Sequence, residues 1–192
     1  MIRRGHTVGL HSWDHPHMSE LTDAQVLSQI DRSEAVLSPL LGGAPTLFRP
    51  PYGEHDARID RLLEERGYTE VLWNVTGEPV GGHTEDDVLT HFASMMDTRE
   101  AHVEHGGVVI LHDTRPHVVQ AFPRIMEEIA RRNCALYEAG EELWTVSDDL
   151  APFFETRHEG DAYDRRAAHR DLPADLVSTA QASRRAEAEA SC

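Results

Sequence analysis

From about residue 19 onward, stretches patterned for amphipathic helices alternate with short β-branched and aromatic runs. This alternation limits the fold more than any other feature. Helices lying between successive strands are the crossovers that parallel strands require, so the order predicts an α/β domain with a parallel sheet. The first helix is expected over residues 19–41. Thr22 and Gln25 make a capping box, Val26, Ile30, Leu37 and Leu41 form the apolar stripe, and Gly42-Gly43 ends it. Residues 46–49 read as a strand stopped by Pro50-Pro51. Residues 56–66 read as a helix burying Ile59, Leu62 and Leu63, with Gly67 as its stop. A strand over 71–75 follows. Thr84 then caps a helix whose first turn holds Glu85, Asp86 and Asp87, where the helix dipole favours negative charge, and whose apolar positions are Val88, Phe92, Met95 and Met96. Gly106-Gly107 opens the run 108–111, whose unbroken apolar character predicts a strand buried on both faces. A helix over 118–132 points Val119, Phe122, Ile125, Met126 and Ile129 inward. Residues 135–137 make a last strand, with 143–146 packed near it. The domain is read as residues 1–150. Residues 151–192, rich in Ala, Arg, Asp and Glu, read as a disordered tail in which 180–190 form at most a solvated helix.

In such a sheet, ligands bind beyond the carboxyl ends of the strands. Four groups of chemically able residues fall at those ends. His11 and His15 stand four apart after Val8-Gly9-Leu10. On a helical turn they share a face and can grip one metal ion, with Zn2+ the default for nitrogen donors. With 13 His in the chain, such a pair also arises by chance. Arg49 precedes a rigid Pro50-Pro51-Tyr52-Gly53 turn. It suits holding a carboxylate, and the Tyr52 amide suits an oxyanion; a plain tight loop is the alternative. Trp73 suits either a sugar cleft or the core. His112, ahead of Asp113, suits general acid catalysis, the alternative being a structural histidine bonded to backbone.

Composition excludes some partners. A net charge of −16 argues against nucleic acid and anionic membrane surfaces. No apolar run reaches membrane-spanning length. Two cysteines, Cys134 and Cys192, lie far apart and suggest neither a disulfide framework nor a Cys-based metal site. The opening residues lack the apolar stretch of a signal peptide.

His11-Ser12-Trp13-Asp14-His15, Arg49-Pro50-Pro51-Tyr52-Gly53 and Ile110-Leu111-His112-Asp113 resemble, in order, three signature motifs of the polysaccharide deacetylase family, the NodB-homology domain of carbohydrate esterase family 4. Gly5-His6 and Trp73-Asn74-Val75 fit as well, so the resemblance runs from about residue 5 to about residue 146. It implies a distorted (β/α) barrel and metal-dependent removal of acetyl groups from N-acetylated, sometimes O-acetylated, sugars, with an acetylated glycan as partner. By that resemblance His11 and His15 ligate a divalent metal. Arg49 orients the catalytic aspartate, Tyr52 supplies a backbone oxyanion donor, and His112 protonates the leaving amine; Pro51 and Trp73 are placed with Tyr52 on the substrate side from the reading of the residues themselves.

Two departures shape the expectation. The family opens on an aspartate pair, one the general base and the other the third metal ligand, whereas residues 1–10 hold no Asp. The chain is therefore expected to start part-way into the family domain, as an incomplete barrel lacking its first strand or strands. Loss of a general base typically costs about 10²–10⁴-fold in rate, so little activity is expected of it. After Trp73, where the family has acidic residues, the chain reads Thr76-Gly77-Glu78-Pro79-Val80, leaving Glu78 as the one substitute. The alternative function is a non-catalytic relative that binds glycan or metal. Compartment is left open: an export signal would lie ahead of Met1 in a longer chain, and without one the protein is cytoplasmic.

Overall fold

The computed structural model describes residues 6–73, 75–102, 108–144 and 174–192. It divides into two compact units, residues 1–72 with 166–170, and residues 73–165 with 171–192.

In the first unit, α1 (Asp23–Leu41) begins at Thr22, and the capping box forms: the Gln25 side chain accepts from the Thr22 amide at 2.9 Å while the Thr22 hydroxyl accepts from the Gln25 amide. The helix starts later than residue 19 because Met18–Glu20 makes a separate 3-10 turn. Gly42, at φ 78°, closes α1 in the left-handed conformation that glycine adopts without strain. β1 (Leu47–Phe48) pairs in parallel with β2 (Thr69–Glu70), and α2 (Ala57–Glu65), capped by the Asp56 carboxylate, connects them. Leu10 adds a parallel bridge to Phe48. This approach needs a glycine beside it, since a Cβ on Gly9 would stand 2.8 Å from the Leu47 carbonyl oxygen. Leu10, Val26, Ile30, Phe48, Ile59, Leu62 and Leu63 form the core.

In the second unit, β3 (Val75–Thr76) pairs in parallel with β4 (Val109–Ile110). α3 (Glu85–Glu100) starts at the Thr84–Asp87 capping box. α4 (Pro116–Ala139) ends at Gly140, φ 72°. Val88, Phe92, Met96, Val118, Ala121, Ile125 and Trp144 pack between α3 and α4. The buried Arg132 joins the two helices, reaching Asp97 at 2.6 Å, Glu100 at 2.8 Å and Glu128 at 2.7 Å. Hydrogen bonds, first from Arg131 and then from Arg132, hold the Glu128 carboxyl down at about 2. A carboxylate with a lowered folded-state pKa stabilises the fold above its ordinary range and loses that contribution as it protonates. Acid titration followed by circular dichroism is therefore expected to show a fall in Tm between about pH 4.5 and pH 2 that is smaller in Glu128→Gln.

The parallel α/β reading holds, with several corrections. The strand expected over 71–75 falls mostly between two strands, because the chain on either side pairs with different partners: β2 ends at Glu70, with Val71 still donating to Phe48, whereas Val75 opens β3 and pairs with Val109. Val109 and Ile110 are half-buried, not covered on both faces. Residues 135–137 are helical, since nothing in α4 breaks the helix before Gly140. The buried face of α4 centres on Val118, Ala121 and Ile125, leaving Val119 and Phe122 about half exposed on its flank. The cysteines form a disulfide, Cys134–Cys192, with Cα atoms 5.4 Å apart. Its partner segment is not simply a tail: α5 (Ala174–Ser191) packs on α4 and buries Ala188. A residue as small as alanine lets a polar helix approach closely without an apolar stripe. Asn74, Gly106-Gly107, 145–146 and the 151–173 part of the expected tail lie outside the described residues, as does Gly5. No helix among the described residues is long and apolar enough to cross a membrane.

Candidate functional site

The first unit brings His11, His15, Arg49, Pro51 and Tyr52 together. His11 follows the Leu10 bridge, and its Nδ1 lies 2.6 Å from the Arg49 carbonyl oxygen. A carbonyl only accepts, so Nδ1 carries the proton and the Nε2 of neutral His11 carries the lone pair a metal needs. The His11 and His15 rings stand 4.9 Å apart, edge to face. They do not share a helical turn as the spacing suggested. Residues 11–17 are an irregular loop in which Ser12 (φ 65°) and His15 (φ 60°) both take left-handed conformations. Such strain survives only where surroundings over-determine it. Here the Ser12 hydroxyl accepts the His15 amide at 3.0 Å, the Gln29 side chain accepts the Trp13 and Asp14 amides, and Arg32 covers the Trp13 ring at 4.4 Å.

Tyr52 is the third strained residue, φ 57°, in the Pro51–Gly53 turn. Pro51 is buried and sets the turn; the Tyr52 side chain is exposed, stacked on His17 at 4.2 Å and edge-on to His15 at 4.6 Å. The amides of Gly53 and Glu54 bond back to Pro50 and Pro51, whereas no acceptor takes the Tyr52 amide among the described residues. Arg49 donates from Nε to the Val71 carbonyl at 3.2 Å, and burial lowers its guanidinium below its ordinary value.

His112 and Trp73 belong to the second unit. His112 lies just past β4, close to half exposed, so it is not the buried polar strand end that the sequence suggested. Glu78, almost wholly buried past β3, grips it twice: one carboxylate oxygen accepts the His112 amide and lies 3.0 Å from Nδ1. The other oxygen is 2.6 Å from Arg115. Glu78, the one acidic substitute that the sequence offered, is thus the group that holds His112, and its place two residues past β3 was the readable signal. Arg115 was not singled out; nothing local marks it except its position before Pro116. Trp73 is half-buried between β2 and β3, in neither strand.

As metal donors, His11 and His15 are two well-placed imidazoles. No third His, Cys, Asp or Glu completes a cluster with them among the described residues.

Comparison with known proteins finds polysaccharide deacetylases. The polysaccharide deacetylase model matches residues 1–71. A family 4 carbohydrate esterase from Streptomyces lividans, solved with acetate, superposes with a TM-score of 0.58 at 32% identity, covering 68% of this chain and 64% of that one. The chain is similar to carbohydrate esterase family 4 over these residues. It is 28% identical to chitin deacetylase 1 of Saccharomyces cerevisiae over 138 residues, covering 72% of this chain and 46% of the relative. It is 30% identical to the peptidoglycan-N-acetylglucosamine deacetylase of Listeria monocytogenes over 112 residues, covering 58% of this chain and 22% of the relative. The chain therefore spans less than half the length of the curated relatives it matches.

Proposed function

We propose that the protein takes part in hydrolytic removal of acetyl groups from N-acetylated polysaccharide, using a divalent metal, Zn2+ by donor type, on an incomplete family barrel. The observation that carries this is the histidine pair: His11 held in the metal-ready tautomer by the Arg49 carbonyl, with His15 turned beside it by a strained loop. The metal, when bound, supplies a Lewis acid for the acetyl carbonyl. The Tyr52 amide donates to the oxyanion of the tetrahedral intermediate. His112 delivers a proton to the leaving amine, with Glu78 keeping Nδ1 protonated so that Nε2 is the donor. The general base is assigned to no residue of this chain, since residues 1–10 hold no Asp. The Cys134–Cys192 bond supports folding in an oxidising compartment.

A second reading, a non-catalytic glycan or metal binder, is favoured by the lack of a third donor beside the histidine pair among the described residues. Acetate release from N-acetylated chito-oligosaccharides, with and without added Zn2+, separates the two. Metal-dependent release that disappears in His11→Ala supports the enzyme. Metal or glycan binding with no release supports the binder. Absence of both release and binding defeats both.

A further inference from the structure

The first unit holds another cluster that the deacetylase reading does not use. His55 lies between the Pro51–Gly53 turn and α2, Asp60 lies in the first turn of α2, and Glu70 is on β2. One donor atom from each falls within 4.8 Å of the others. The His55 side chain is fully buried, Glu70 is 4% exposed and Asp60 10%. His55 Nδ1 bonds to the Asp60 carboxylate, an acceptor, so Nδ1 carries the ring proton. In the neutral ring Nε2 is then an acceptor too, yet it faces Glu70 Oε1 at 2.9 Å. Neither Nε2 nor either Glu70 oxygen makes a hydrogen bond among the described residues, and no Arg pairs with Asp60 or Glu70 there. Two acceptors this close in a buried site repel unless a positive charge is shared between them. Donors about 2.0–2.1 Å from one ion are separated by roughly 3.3 Å in a tetrahedron, close to the spacing seen. A carboxylate on the far ring nitrogen is the usual support of a ligating histidine.

We propose that His55 Nε2 and the Glu70 carboxylate bind a divalent transition metal, with Asp60 orienting the imidazole. The ion ties the exit of the Tyr52 turn to α2 and β2, and it is distinct from the ion assigned to His11 and His15. Imidazole with carboxylate suits Zn2+, which serves as the probe.

The test uses the whole chain as a His11→Ala/His15→Ala variant, stripped with chelator and titrated with Zn2+, with elemental analysis after gel filtration. These two histidines are exposed, so their removal leaves the core intact. The expected result is uptake of one equivalent, with a Tm rise of about 5–10 °C at a hundredfold excess over Kd. Adding Glu70→Gln is expected to abolish both. Should Glu70→Gln fail to fold, His55→Phe with Glu70→Leu, which removes the buried charge together with the donors, replaces it. No uptake by the His11→Ala/His15→Ala variant overturns the proposal. Uptake that persists without Glu70 overturns it in favour of surface histidines. Failure here leaves the deacetylase reading standing, because that is tested by His11→Ala alone.

Discussion

His112→Ala is expected to lower acetate release from N-acetylated chito-oligosaccharides by about 10²–10⁴-fold relative to the unchanged chain, the usual contribution of a positioned proton donor. Slow turnover stays measurable if product is counted by mass spectrometry over hours. His112 is near half exposed at the end of β4, so its loss removes little packing and the fold is expected to survive. Glu78→Gln sharpens the assignment. It keeps the shape but removes the charge that holds Nδ1 and Arg115. Removing such an orienting partner costs about 10–100-fold by analogy with carboxylates behind metal-bound histidines. Equal rates in His112→Ala and the unchanged chain would remove His112 from the mechanism.

Reduction of Cys134–Cys192 is expected to destabilise the second unit by about 4 kcal/mol, from the chain entropy released when a loop of this length opens. The bond spans 58 residues of sequence. For a chain of this size the loss corresponds to a drop in Tm of roughly 8–16 °C. Differential scanning calorimetry with and without dithiothreitol measures it, and Cys192→Ser should reproduce the reduced value. Among the described residues of α5, Ala188 is buried, and the ion pairs Arg184–Glu187 and Arg185–Glu189 lie within the helix itself. A Tm unchanged by reduction would mean that α5 packing alone fixes the helix.

Helix starts were readable because a cap is a bargain within one turn. Thr22 with Gln25, Asp56, and Thr84 with Asp87 all occupy the capping roles their spacing implies. Helix ends at Gly42 and Gly140 follow the same local logic. Strand extents were less readable, since residues 71–75 read as one strand whereas the pairings fall at 69–70 and 75–76, and local pattern carries no record of the partner. The His11–His15 pair was legible as a pair and not as a shape. Its rings meet through two left-handed residues and a Gln29 clamp, contacts that spacing alone does not contain.

The sequence by itself determined the alternating α/β order, the caps and the three motifs that carry the family resemblance, because each element or motif depends on residues within a few positions of one another. The tertiary structure alone decided that Glu78 holds His112 across 34 residues, that Cys134 meets Cys192 across 58, and that His55, Asp60 and Glu70 share one dry pocket. Those pairings depend on the path the whole chain takes. A buried charge gains its meaning only from the groups that path brings beside it.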